Sequence, residues 1–255
     1  MTAELPITAL KPQPIPRPRR DWPAAYAALR RLLANKDATE EVFTIMQALN
    51  GDATWRAYSR LLTTVEGGKL AFRREEIATL LCDRAWLRSL PDGSLGRAYL
   101  AHVEANNISA EGLIEVSAQV MRGVEHPVAW FGRRTRDVHD LWHVLAGYGT
   151  DGLGEACLVA FSWPQTGGLG WGFIAAGAMV RSLKATERHP YKRAIMEGWR
   201  RGRACQWLGA VDYAALLPQP LEAVRAQFGL VPPRIYQSIP PEARLGAVPK
   251  ASTAP

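Results

Sequence analysis

Apolar residues recur along this chain at spacings of three and four, the period of a helix with one face turned inward, and β-branched alternation is scarce. An all-α fold is the expectation. Asp21 can cap a first helix, with Pro23 in its first turn and Tyr26, Leu29, Leu32 and Leu33 along one side. Thr39 and Asp52 open two more, the former closing at Asn50 and Gly51. A further helix is expected over about 73–87, followed by the turn Leu90-Pro91-Asp92-Gly93, where proline presets φ and glycine accepts a positive φ. Ser94 then starts a helix running to about residue 106. Ser109 caps a segment with Leu113, Val116 and Val120 on its inner face.

Pro127 can start the helix or helix pair that leads into residues 139–148. Gly147, Gly149, Gly152 and Gly154 make the next connection compliant. Two helices near 153–162 and 168–184 follow, separated by Pro164 and Gly167, and the last are expected near 190–208 and 219–229. Residues 1–20 hold five prolines and end in Arg19-Arg20, an extended basic lead-in. Residues 21–235 form one helical domain, and 236–255, rich in Pro, Ala and Ser, read as a flexible tail. No fixed-period repeat suggests a solenoid.

Composition narrows the partners. The +7 net charge points to something anionic, a nucleic acid, an acidic lipid surface or a small molecule. The basic residues are scattered and match no zinc-finger or RNA-recognition signature, which argues against nucleic acid. Cys82, Cys157 and Cys205 form no CxxC pair, so neither a disulfide framework nor a thiolate zinc site is expected. The most apolar run, Leu169 to Val180, stops at Arg181, too short to cross hydrocarbon.

The chemistry-bearing string is His139-Asp140-Leu141-Trp142-His143, followed eleven residues later by Glu155. On a helix, 139 and 143 lie one above the other and 140 neighbours 143, so three donors converge from one turn. Glu155 completes a set if the glycine-rich segment reverses the chain. Two imidazoles and two oxygens suit Zn²⁺, and Fe, Mn or Co accept the same set. His102, His126 and His189 have no comparable neighbours in sequence and read as structural or solvated. Trp163, Trp171 and Phe173, with Gly167, Gly168, Gly170, Gly172 and Gly177, fit either a tight helix contact beside an apolar groove or ordinary core packing. Arg133, Arg134 and Arg136 fit either a grip on a carboxylate or phosphate, or a solvated charge run.

The HDLWH string with its distant glutamate resembles the HDxxH-x11-E signature of the ubiquinone (coenzyme Q) biosynthesis family named for the fourth Coq protein. Leu90-Pro-Asp-Gly-Ser-Leu-Gly-Arg-Ala-Tyr99, Arg136-Asp-Val-His-Asp140, Leu221-Glu-Ala-Val-Arg225 and Phe228-Gly-Leu230 resemble further segments of that family, over roughly residues 75–233. The resemblance implies a single helical domain with a metal site between two helices, held by His139, Asp140, His143 and Glu155, and an apolar lipid channel. It implies Zn, or another divalent metal such as Fe, Mn, Co or Mg.

The implied activity is removal of the C1 carboxylate of a polyprenyl-hydroxybenzoate, coupled to hydroxylation of that carbon. Arg136 is the candidate for orienting the carboxylate. The partners it implies are the polyprenylated precursor, other ubiquinone biosynthesis enzymes and a membrane surface, and a homodimer is open. Peripheral attachment would be to the cytoplasmic face of a bacterial inner membrane, or to the matrix face of the mitochondrial one. Two other readings stand beside this: a non-catalytic polyprenyl-lipid-binding scaffold, and a His-Asp phosphohydrolase using His102, His139-Asp140 and Asp151.

Overall fold

The structure, a computed structural model, describes residues 19–34, 38–107, 126–183 and 189–245. Its order is α1 (Trp22–Ala34), α2 (Thr39–Leu49), α3 (Ala53–Leu61), α4 (Val65–Arg73), α5 (Ile77–Cys82), α6 (Arg84–Ser89), α7 (Leu95–Ala105), α8 (Pro127–Asp137), α9 (His139–Ala146), α10 (Gly152–Thr166), α11 (Leu169–Ser182), α12 (Tyr191–Ala204), α13 (Tyr213–Leu216), α14 (Leu221–Phe228), α15 (Arg234–Gln237) and α16 (Pro241–Leu245). The all-α expectation holds: among the described residues there is no strand, only an isolated bridge between Ser94 and Pro220.

Helix α10 is the axis of the fold. Leu153, Ala156, Cys157, Leu158, Ala160 and Phe161 are all buried, and a helix apolar nearly all round belongs in the middle of a protein. Its main neighbour is α12, which buries Tyr191, Ala194, Ile195, Gly198 and Gly202 and turns Lys192, Arg193, Arg200 and Arg203 to solvent. A Cβ at Gly198 or Gly202 would overlap the backbone carbonyls of Cys157 or Phe161, so these glycines set how closely the two helices approach. On the other side, α11 packs against the α1–α2 pair, with Gly177 against Leu29 and Gly170 against Met46. The glycine-rich stretch of α11 is thus a packing seam.

Helix α9 is short, and its end is closed by long-range contacts. Gly147 caps it with φ +74°. Arg225 of α14 donates to the carbonyls of Val144 (2.6 Å) and Leu145 (3.1 Å), and Arg201 of α12 donates to that of Ala146 (2.8 Å). Carbonyls that a helix end leaves without partners are satisfied by two half-buried or buried guanidiniums.

Several local expectations need correction. The helix expected over 73–87 is two, α5 and α6. Arg73 ends α4, Arg74 takes φ +49°, and Asp83 starts a new helix by accepting from Trp86 N at 2.9 Å. Helix α4 was unexpected because Gly67 and Gly68 lie inside it; Gly67 fits under the Leu61 carbonyl, where a side chain would collide. Tyr26 is exposed, and the inner face of α1 is Ala25, Ala28 and Leu29. Pro164 sits inside the last turn of α10, which runs on to Gly167 at φ +68°. The segment expected from Ser109 lies outside the described residues. Past residue 235 the chain remains packed through α16, with Tyr236, Ile239 and Ala243 buried.

Candidate metal centre

Helix α9 begins where Val138 breaks from α8, and its first turn presents His139 and Asp140, its second His143. One donor atom from each of the three lies within 4.8 Å of the others. Donors about 2.0–2.2 Å from a shared ion are at most roughly 4.4 Å apart, so the cluster needs little adjustment to hold one. Glu155 arrives from the first turn of α10. Its Oε1 is 3.3 Å from Nε2 of His143 and its Oε2 is 3.7 Å from Nε2 of His139. The structure therefore brings all four sequence candidates to one place.

The reversal that delivers Glu155 is built from residues 147–154. Asp151 caps α10 by accepting from Gly154 N at 2.8 Å, which starts the helix one turn before Glu155. Gly154 packs so tightly on the Gly149 carbonyl that a Cβ there would overlap it. Tyr236 donates to Asp151 and accepts from Gly149 N at 3.0 Å, locking the turn from the C-terminal side. Asp151 is thus committed to the cap, which leaves the phosphohydrolase reading without its second acid.

Exposure is graded across the cluster. The His143 side chain is 1% exposed, His139 28% and Glu155 44%, so the site has a closed floor and an open mouth. Nδ1 of His143 lies 3.2 Å from the Tyr148 carbonyl, which orients the ring and leaves Nε2 facing the carboxylates. That Nε2 is buried, with Oε1 of Glu155 at 3.3 Å. A buried imidazole nitrogen aimed at a carboxylate from another helix fits a ligand position. Two nitrogens and two carboxylates are a donor set that divalent transition metals accept. Burial opposes charge on Glu155, but the two imidazoles facing it outweigh that and hold its carboxyl well below the usual range. Burial likewise opposes protonation of His139, but its hydrogen bond to Glu155, and then the charges of Glu155 and Asp140, reverse the balance and raise its pKa.

The arginine triplet is otherwise engaged. Arg136 turns to Asp137, with Nη2 at 3.0 Å and Nε at 3.3 Å from Oδ1. Arg133 pairs with Glu76 at 2.6 Å. Arg134 is buried, donates to the Val211 carbonyl at 2.6 Å and lies 5.5 Å over the Tyr213 ring. Of the aromatic candidates, Trp171 stacks against His139 with centroids 6.2 Å apart, while Trp163 fills the space beside Gly172. A cavity of about 380 Å³ lies under Leu70, Ile77, Leu80 and Trp130, with Arg73, Arg134 and Asp212 also lining it and none of the four donors among its walls.

Two of the three remaining histidines read as the sequence suggested. His126 caps α8, its Nδ1 accepting from Val128 N at 3.2 Å, and His189 rests edge-on to Tyr191. His102 does not. It stacks on His143, centroids 5.4 Å apart, and burial together with that neighbour lowers its pKa. No spacing rule links position 102 to 143, since the contact is made by packing of α7 against α9.

Over residues 22–234 the chain matches the family described as coenzyme Q (ubiquinone) biosynthesis protein Coq4. It is 32% identical over 174 residues to the rat "Ubiquinone biosynthesis protein COQ4 homolog, mitochondrial", a match covering 66% of this chain and 62% of that protein. The human and bovine proteins of the same description are 30% identical, over 67% and 74% of this chain and 63% and 71% of their own lengths. The matched part thus spans less than two thirds of the rat and human proteins. A crystal structure described as that of a ubiquinone biosynthesis protein, from Nostoc punctiforme, superposes with a TM-score of 0.59 at 24% identity, covering 83% of this chain and 99% of that one, which supports the same fold. A match running from α1 into α15, with relatives at 30% identity or more, makes this chain a member of the Coq4 family of ubiquinone biosynthesis proteins.

Proposed function

We propose that this protein acts in ubiquinone biosynthesis, binding one divalent metal through His139, Asp140, His143 and Glu155 and removing the C1 carboxylate of a polyprenyl-hydroxybenzoate. The observation that carries the reading is the approach of Glu155 to both imidazoles from a different helix. Zn²⁺ fits the donor set, as do Fe, Mn and Co; Mg²⁺, which favours oxygen donors, fits it less well. A bound ion would supply Lewis acidity to the ring oxygens as the carboxylate leaves as CO2, the electron pair left at C1 being taken up by a proton, or by an oxidant where that carbon is hydroxylated. The protein's own part is to hold the donors on a dry floor at His143 and to leave the side of Glu155 open to the substrate. Arg136 is the cation that would orient the substrate carboxylate, and to do so it must exchange its bonds to Asp137 for bonds to the substrate.

The partners in this reading are the polyprenylated precursor, other enzymes of the pathway and a membrane surface that holds the lipid. Among the described residues no helix is long and apolar enough to cross a membrane, which is compatible with attachment at the surface. Val65, Lys69 and Phe72 share one face of α4, and Val65 and Phe72 are 75% and 87% exposed. An apolar and basic face of this kind suits an anionic bilayer.

The test is purified protein with metal, a carboxylated polyprenyl substrate and, where required, oxidant and partners. Turnover by the unaltered protein, lost together with bound metal in His143→Ala or Glu155→Ala, is expected. Normal product from a folded, metal-free variant would reject the mechanism. A second reading, a lipid-presenting scaffold with a structural metal, is favoured by the engagement of Arg133, Arg134 and Arg136 with protein groups. Binding of the lipid without turnover would select it.

A further inference from the structure

Position 102 lies far from 139–155 in sequence, yet the fold puts its imidazole against the metal cluster. The rings of His102 and His143 have centroids 5.4 Å apart, and those of His139 and His143 are 5.0 Å apart. Two imidazoles bound to one ion have centroids roughly 5–6 Å apart, since each nitrogen sits about 2.0–2.1 Å from the metal. Nε2 of His102 is buried and without a hydrogen-bond partner, and the neighbouring Nε2 of His143 faces Oε1 of Glu155 at 3.3 Å. A buried nitrogen without a partner, on a ring beside a histidine–carboxylate pair, is accounted for by an ion that both rings reach.

The backbone around His102 is tied to the rest of the site. Asn106 Nδ2 donates to the His102 carbonyl at 2.7 Å, and its Oδ1 accepts from Thr150 in the turn that carries Glu155. Helix α7 is thereby linked to the start of α10 on the side where the carboxylate enters.

We infer that His102 is a fifth protein donor to the metal, so that three imidazoles and two carboxylates converge from α7, α9 and α10. The inference rests on the metal reading of His139, Asp140, His143 and Glu155. Five donors exceed the four of a closed tetrahedral zinc site, so the centre suits an ion that accepts five or six ligands, such as Mn, Fe or Co. The third imidazole binds as the neutral ring, with its Nε2 lone pair on the metal.

Co²⁺ loaded into the full-length protein provides the test, read by X-ray absorption and by the visible spectrum. The unaltered protein is expected to give three imidazoles per ion and the weak absorption of a five- or six-coordinate centre. His102→Phe keeps a ring of similar size against His143 and removes the nitrogen; it is expected to give two imidazoles, a more intense spectrum and a Kd about 10–100-fold higher. Two imidazoles in the unaltered protein would overturn the inference without any variant. An unchanged imidazole count in His102→Phe, with or without weaker binding, would overturn it too, since packing alone then explains the contact. Failure of the unaltered protein to take up Co²⁺ at all would instead reject the four-residue reading beneath it.

Discussion

Nε2 of His143 and Oε1 of Glu155 lie 3.3 Å apart, although eleven residues and a reversal of chain direction separate them. The reversal is what makes the pair, and Gly154 is its tightest point, pressed on the Gly149 carbonyl one residue before Glu155. Gly154→Ala should therefore move α10 relative to α9. The expected cost is about 1–3 kcal/mol in denaturant unfolding, the range for overpacking, together with weaker metal binding. Metal affinity equal to that of the unaltered protein would mean the turn does not set the ligand geometry.

Metal removal should be felt as lost stability. A ligand that binds only the folded state, at a free concentration 100 times its Kd, stabilises it by about 2.7 kcal/mol. Unfolding followed with and without chelator should differ by that amount for the unaltered protein. His143→Ala, which removes the buried donor, should show no difference. An equal chelator effect in the variant would place the stabilising ion elsewhere.

How far this site could be read in advance depends on the range of each contact. His139, Asp140 and His143 share two turns of one helix, so helical periodicity alone put them together, and the capping serines and aspartates at Ser94, Asp83 and Asp151 work through local hydrogen bonds. Asp83 nonetheless went unrecognised, because the apolar spacing on both sides of it continues unbroken across a change of helix direction. His102 was illegible for a stronger reason: its partner is 41 positions away on another helix, and only packing brings them together. The arginines failed in the opposite way. Arg134 reads as part of a charge run, yet it is buried with its guanidinium over Tyr213 and Trp130, which charge pattern cannot reveal.

Tyr236 ties the Glu155 turn to the C-terminal helices and should make the protein sensitive to alkali. Burial first, then the hydrogen bond to Asp151 and its charge, push the phenol up to about 12 from an ordinary 10. The folded state keeps the proton longer than the unfolded one. The resulting stabilisation is complete below about pH 10, declines as pH rises, and is gone above about 12. Its ceiling is about 2–3 kcal/mol, from two pH units at 1.36 kcal/mol each. Tyr236→Phe should be less stable near neutrality by about 1–3 kcal/mol, having left Gly149 N and Asp151 short of a partner, and should lose less stability between pH 9 and 11. Parallel curves for the two proteins over that interval would rule out this phenol as the alkaline-sensitive group.

The proposed attachment to a membrane through α4 makes the final prediction. Phe72 is 87% exposed while Leu70 and Ala71 beside it are buried, so the helix is held with that ring outward. Inserting a phenyl ring into a bilayer interface is worth about 1.5–3 kcal/mol, and each nearby basic residue such as Lys69 adds about 1 kcal/mol on an anionic surface. Phe72→Asp should thus lower partition onto vesicles of phosphatidylcholine and phosphatidylserine by roughly tenfold or more, without changing thermal stability, since the side chain packs against little. Raised salt should weaken binding of the unaltered protein through Lys69, whose pair with Glu66 is exposed on both sides and weak enough to exchange for lipid phosphate. Flotation indifferent to both the substitution and salt would reject α4 as a membrane-binding face.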